Sequence, residues 1–284
     1  FDIMINKASR VVVVTGANKG IGYSIVEGLT KFSDKPSTVL TARSDERGKA
    51  ALQKLLDASP SSKEQIFYHQ LDVTKKESIK NFVDWAKASF DKIDVLVNNA
   101  GVMPKNELTS NYLPSEEDLR STLGTNFEGV RSLTYQILPI LSEDGKIINI
   151  SASLGLWKNQ GETAVKILTN PGFEEKDLDE LSAAYFEALK KGTLKESGYR
   201  PSSYMLSKAL LNAWTYYVLP KKLKGEQQTL AVCPGWCRTD LGGEKAVRSA
   251  EQGAETILYL IGLPYKRDPN LHGRFLRDKK VISY

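Results

Sequence analysis

Short apolar runs alternate along the chain with longer segments whose apolar residues recur at helical spacing. The runs are Val11–Val14, then 38–41, 66–69, 95–97, 147–150, 230–233 and 274–276. Each is too short for a buried helix and most are rich in β-branched residues, which marks strands. A run of four valines reads as a strand covered on both faces. Amphipathic segments separate the first six runs. That alternation predicts an α/β fold, a doubly wound parallel sheet with helices on both faces. No Gly/Ser-rich or Pro-rich linker and no internal repeat divides the 284 residues, so a single domain over 1–284 is expected.

Composition narrows the class of function. Hydrophobic residues make up 41%, enough for a large core, and the net charge is +5. Lysines and arginines are interspersed with acids rather than gathered on a stripe, so nucleic acid is not an expected partner. The cluster 277–280 reads as solvated surface. Cys233 and Cys237 share one loop without zinc-ligand companions, so neither a disulfide framework nor a metal site is implied, and a reducing, cytoplasmic location is expected. No 18-residue apolar run or signal-like N-terminus is present, so no membrane association is expected.

The first valine run feeds directly into Thr15-Gly16-Ala17-Asn18-Lys19-Gly20-Ile21-Gly22. Strand, glycine turn and helix form the nucleotide-binding geometry. The glycines let backbone approach a pyrophosphate, and the helix over 21–30 offers free amides and a favourable dipole to an anion. Where a nicotinamide dinucleotide site selective for a free ribose 2′-hydroxyl places Asp or Glu, at the end of the second strand, this chain has Ala42 followed by Arg43. A carboxylate there would repel a 2′-phosphate, whereas Arg43 and Lys19 can grip one with charge-assisted hydrogen bonds. NADPH is therefore the expected cofactor, with Asp45 the one nearby group of opposing sign.

Tyr204 and Lys208 lie four residues apart and share one helix face. Free tyrosine titrates near ~10 and is a poor acid or base at neutrality. A neighbouring cation that stabilises phenolate makes it a usable one. The glycine spacing and Tyr-x-x-x-Lys together resemble the short-chain dehydrogenase/reductase superfamily, and the likeness covers nearly the whole chain. Leu71-Asp72-Val73 resembles its adenine-contacting acid and Asn98-Asn99-Ala100-Gly101 its fourth-strand motif. Asn126 falls in the helix that carries the family's active-site asparagine, and Pro234-Gly235-Trp236-Cys237-Arg238-Thr239 resembles its nicotinamide loop. Asn18–Gly22, Leu40-Thr41-Ala42-Arg43, Cys233–Trp236 and His272-Gly273-Arg274-Phe275 resemble in particular the monomeric NADPH-dependent carbonyl reductases.

The resemblance implies a Rossmann-type fold and three catalytic residues. Tyr204 donates a proton to the carbonyl oxygen, Lys208 lowers the tyrosine pKa and holds the nicotinamide ribose, and Asn126 anchors a proton-relay water. The implied cofactor residues are Gly16, Asn18, Lys19, Gly20, Ile21, Gly22, Arg43, Asp72, Val73, Asn99, Ala100, Gly101, Tyr204, Lys208, Pro234, Gly235, Trp236 and Thr239. One position departs from the family. Its fifth-strand pattern Asn-(Ile/Val)-x-Ser-x-x-Gly, aligned on Asn149 and Gly155, puts Ala152 in the serine slot. Either Ser151 or Ser153 takes that role through a local shift, Ser153 being preferred, or the enzyme is weakened.

Between Ala152 and Tyr204 the chain is longer than in tetrameric family members. Leu178, Leu181, Tyr185, Phe186 and Leu189 give this insertion, roughly 157–198, an apolar face at helical spacing. In the carbonyl reductases such an insertion covers a subunit interface, so a monomer is expected. Met103, Trp157 and Trp236 follow the fourth strand, the fifth strand and the cofactor loop, and are candidates for an apolar substrate pocket beside Ala152 and Ser153. The expected reaction is reduction of aldehyde, ketone or quinone carbonyls. The alternatives are an alcohol dehydrogenase specific for one terpenoid, alkaloid or steroid, and an NADP(H)-binding protein whose chemistry has decayed at Ala152.

Overall fold

The computed structural model describes residues 9–105, 107, 109 and 111–284. The valine run forms β1 (Val11–Val14), which leads through the glycine turn into α1 (Gly20–Leu29). Then follow β2 (Ser37–Ala42), α2 (Asp45–Ala58), β3 (Ile66–Gln70), α3 (Lys76–Ser89) and β4 (Ile93–Asn98). In the second half α4 (Glu116–Leu123) passes through a π turn, Gly124–Glu128, into α5 (Gly129–Ile137) and β5 (Leu141–Ile150). Next come α6 (Glu162–Leu168), α7 (Glu175–Lys190), α8 (Ser203–Ala213), β6 (Gln228–Cys233), α9 (Ala250–Gly262), β7 (Phe275–Arg277) and β8 (Lys280–Ile282).

The strands join one sheet in the order β3-β2-β1-β4-β5-β6-β7-β8. Every pairing is parallel except β7 with β8. Successive strands step outward from β1 on opposite sides, so a crevice opens at the C-terminal ends of β1 and β4, where open α/β sheets bind ligands. All seven expected strands are present. β8 was not expected, and β5 starts earlier than its apolar run because Leu141 pairs with Ile93 before the register shifts.

Side-chain alternation along β1 explains why both faces must be covered. Val11 and Val13 join one buried cluster with residues of α3, α4, α5, α7 and α8. Val12 and Val14 join the other, with α1, α2 and α9. Each fully buried valine contributes about 1.5–3 kcal/mol relative to an exposed one. The insertion is ordered and helical. On α7, Leu178, Leu181 and Tyr185 are buried as the periodicity predicts, while Phe186 and Leu189 pack half-buried against the same cluster. Among the described residues no helix is long and apolar enough to cross a membrane.

Candidate active site

The glycine turn is held open from its neighbour in the sheet. Gly16 has φ +62°, and a Cβ there would lie 2.9 Å from the Cα of Ala100. Thr15, which the sequence did not single out, bridges the two strands: its Oγ1 accepts from the amides of Asn99 (2.9 Å) and Ala100 (3.0 Å). The Asn99 side chain donates in turn to the carbonyls of Thr15 (2.8 Å) and Gly16 (3.1 Å). A Cβ at Gly22 would fall 2.4 Å from that amide nitrogen, so Gly22 makes room for Asn99 and stands behind the cleft rather than lining it. Deeper in the sheet, Asn98 donates to Asn149 (2.8 Å), which donates to Thr215 (2.9 Å) and locks β4 to β5.

A cleft of about 1110 Å³ opens above this turn. Gly16, Asn18, Lys19, Gly20, Ile21, Arg43, Asp72, Val73, Asn99, Ala100 and Gly101 line one half of it. Ala152, Ser153, Tyr204, Lys208, Pro234, Gly235, Trp236 and Thr239 line the other. The first turn of α1 carries no acidic residue, and among the described residues no side chain caps it, so its amides face the cleft available to an anion. Arg43 and Lys19 sit at this end, joined by Arg47, one helical turn beyond Arg43 in α2, and by Lys54. Spacing of four from Arg43 could have revealed Arg47. Asp45 does not oppose them: it pairs with Lys49 at 2.7 Å, which holds its carboxyl below the usual range, and it does not line the cleft. Lys19 pairs with the exposed Asp240 across the cleft mouth. The glycine cradle, the free helix amides and four cations fit a dinucleotide phosphate and a ribose 2′-phosphate.

At the other end, α8 carries Tyr204 and Lys208 inward. Lys208 Nζ donates to the Ile150 carbonyl at 2.8 Å and lies 5.7 Å from the Tyr204 ring centre. Burial pushes the Tyr204 phenol well above its ordinary value, with Cys233 and Glu107 adding in the same direction. Burial also pulls Lys208 down to about 8. Gly155 lets the chain after β5 lie against α8, since a Cβ there would fall 2.5 Å from the Lys208 backbone.

Asn126 lies in the helical segment where it was expected, behind the cleft. It is fully buried within the π turn and absent from the cleft wall, which Thr125 lines instead. Its Oδ1 accepts from the Val102 amide at 2.8 Å, and its Nδ2 donates to the Val102 carbonyl (2.9 Å) and to Ser207 Oγ (3.0 Å). The side chain is thus spent on tying the loop after β4 to α8.

The three residues after β5 all line the cleft, but their hydroxyls differ. Ser151 Oγ is buried, with no hydrogen-bond partner among the described residues. Ala152 is extended and contributes only a methyl group. Ser153 starts a short 3₁₀ turn, Ser153–Gly155, that swings its Oγ to donate to Cys233 Sγ at 3.3 Å. Cys233 is buried yet reaches the cleft beside Tyr204. Met103 and Trp236 line the cleft as expected, and Trp236 is anchored through Nε1 to the Gly242 carbonyl at 2.7 Å. Trp157 does not: it stacks on Tyr217 and Tyr284 in an aromatic cluster away from the cleft.

Residues 10–164 match the short chain dehydrogenase family. Carbonyl reductase [NADPH] 1 of Mus musculus is 38% identical over 286 residues, covering 98% of this chain and 99% of the mouse protein. The protein of the same name from Bos taurus is 34% identical, covering 99% of this chain and all of the bovine one. The structure of salutaridine reductase from Papaver somniferum superimposes with a TM-score of 0.82 at 30% identity, over 95% of this chain and 99% of the poppy enzyme. The glycine cradle, the buried Tyr204–Lys208 pair and these full-length likenesses identify the chain as a member of the short-chain dehydrogenase family.

Proposed function

We propose that this protein is an NADPH-dependent reductase of aldehyde, ketone or quinone carbonyls, with Tyr204 as the proton donor. One observation carries the reading: a single cleft joins four cations beside a carboxylate-free second-strand end to a buried tyrosine with a lysine on the same helix face. The likeness to carbonyl reductases [NADPH] along the full chain supports it. NADPH, when bound, supplies the hydride.

The chain's own residues do the rest. Lys19, Arg43 and Arg47 hold the 2′-phosphate, and the amides of the α1 first turn hold the pyrophosphate. Asp72 and Val73 flank the adenine end, and Pro234, Gly235 and Thr239 close over the nicotinamide end. Tyr204, kept protonated by burial, points its O–H at the substrate oxygen and gives up that proton as negative charge develops there. Lys208, when charged, stabilises the resulting phenolate from the same helix face. Met103 and Trp236 give the substrate end an apolar wall, so water is poorly accommodated beside the reacting carbonyl. The two cysteines, buried and unpaired, accord with a reducing, cytoplasmic location.

A second reading, an alcohol dehydrogenase serving one terpenoid, alkaloid or steroid, draws on the likeness to salutaridine reductase. Following NADPH absorbance across a panel of simple carbonyls, quinones and bulky polycyclic ketones, with NADH as control, tests both. Turnover of several simple carbonyls supports the first reading, turnover of one bulky ketone alone supports the second, and no turnover with any overturns both.

A further inference from the structure

Glu107 lies in the loop after β4, far from α8 in sequence, yet it is only 5% exposed and seated on the first turn of that helix. Three donors converge on its carboxylate. Ser202 Oγ and the Tyr204 amide (2.6 Å) donate to Oε1, and Ser203 Oγ donates to Oε2 at 3.0 Å. Capping the helix does not require this arrangement, because Ser202 already accepts from the Met205 amide at 3.0 Å as an ordinary N-cap. Burying a carboxylate is costly unless hydrogen bonds compensate it. A fold that spends three donors on Glu107 where a serine cap suffices has placed it for another reason.

The geometry supplies that reason. The loop after β4 forms a wall of the cleft through Val102 and Met103. Asn126 ties Val102 to Ser207, at the far end of the Tyr204–Ser207 turn, and Glu107 ties the same loop to the Tyr204 amide, at the near end. The cleft wall and the turn that bears the phenol are thereby fastened at two points. We propose that Glu107 is a positioning residue for Tyr204: through the Tyr204 amide it sets the phenol against the substrate wall. Its carboxylate adds, after burial and Cys233, to what holds the phenol above its ordinary value. The titratable groups around it are Tyr112, Asp118, Tyr185 and Tyr204, and among the described residues no cation is set against it.

This inference deepens the reductase reading and rests on it for its kinetic arm. Glu107→Gln keeps Oε1 for Ser202 and Tyr204, while the Ser203 hydroxyl can rotate to accept, so geometry survives and charge is lost. Its turnover should lose activity at lower pH on the alkaline side than the unmodified enzyme does, because removing a nearby anion lowers the phenol pKa. Glu107→Ala loses the fastening as well, and turnover should fall about a hundredfold while the NADPH dissociation constant stays unchanged. Hydrogen exchange at the Tyr204 amide needs no substrate: it should accelerate in Glu107→Ala and not in Glu107→Gln. An unshifted pH profile in Glu107→Gln, or loss of NADPH binding in parallel with turnover in Glu107→Ala, overturns the proposal. If the unmodified protein reduces no carbonyl, the reductase reading fails by itself, and an unchanged Tyr204 amide exchange rate in Glu107→Ala still overturns the role of Glu107.

Discussion

The ammonium of Lys208 stands 5.7 Å from the centre of the Tyr204 ring while it donates to the Ile150 carbonyl, so one lysine links α8 to the end of β5. Burial disfavours the charged form of each partner, raising the phenol and lowering the amine to about 8. Burial therefore holds Tyr204 protonated and brings the Lys208 amine below its ordinary value. Tyr204→Phe should cut turnover at least ~100-fold while NADPH still binds, since only the proton donor is lost. Lys208→Met should cut turnover comparably and also weaken NADPH. Steady-state kinetics with a separate NADPH titration checks both, and a Tyr204→Phe variant with normal turnover would remove the proton donor from the mechanism.

Arg43→Asp should reverse cofactor preference. In the structure Arg43 and Lys19 line the phosphate end, and Asp45 is diverted to Lys49. Losing two charge-assisted contacts is worth on the order of 3 kcal/mol, roughly a hundredfold in NADPH affinity. Fluorescence titration of NADPH against NADH reads this directly. Equal affinities in the unmodified protein would contradict the assignment of Arg43 and Lys19.

Much of this architecture was legible in the sequence because its signals are local. Val11–Val14 followed at once by Gly16, Gly20 and Gly22 specifies a strand, a turn and a helix within a dozen residues, and the helical period of Leu178, Leu181 and Tyr185 specifies a buried face. What escaped depends on contacts between distant segments. Glu107 has no neighbour in sequence that announces Tyr204, and Asn126 was readable as a functional asparagine without any sign that Val102 and Ser207 would consume its side chain. Trp157 was placed by its proximity to β5 but is drawn off by Tyr217 and Tyr284, an attraction only the folded chain discloses. β8 was invisible because it is a three-residue, largely exposed edge strand with no apolar period of its own.

A monomer is the expected state in solution. The apolar face of α7 is satisfied within its own chain against α4 and α8, leaving those helices less surface to offer a second copy. Light scattering should return the mass of one chain, and a stable tetramer would contradict this role for the insertion.

Stability should rise from pH 8 to about pH 9. Lys146 is buried, donates to the Leu260 and Leu263 carbonyls, and is lowered by desolvation to about 8, as is Lys208. Across that interval the unfolded chain holds lysine protons that the folded chain has released, so unfolding becomes less favourable as pH increases. Below pH 8 each lysine costs up to about 3 kcal/mol. As pH approaches 10 the gain reverses, because Cys237 and buried tyrosines such as Tyr135, raised to about 12, stay protonated while their unfolded counterparts ionise. The thermal midpoint of the unmodified protein should climb over this window, and Lys146→Met should climb less. A midpoint that falls from pH 8 to about pH 9 would show that the buried lysines do not govern it.

Ala152 departs from the serine pattern of its family, and if a hydroxyl is to meet the substrate oxygen there it must come from Ser151 or Ser153. Ser151 has a buried hydroxyl with no partner among the described residues, and Ser153 carries a hydroxyl on the cleft wall that is engaged with Cys233. A thiol is a weak acceptor, so an incoming carbonyl oxygen can draw the Ser153 hydroxyl away from it at small cost. If no hydroxyl reaches the substrate, one donor to the developing oxyanion is missing, a loss of about 2.7–4 kcal/mol or ~100- to 1,000-fold in turnover. Ala152→Ser should then raise turnover strongly and leave NADPH affinity unchanged, because the new group faces substrate rather than phosphate. If Ser153 has taken over, Ser153→Ala should collapse turnover while Ala152→Ser does little. The two variants, assayed on the best carbonyl of the panel, therefore separate a weakened enzyme from a displaced serine, and turnover unaffected by either would show that this site stabilises its oxyanion through Tyr204 without a serine.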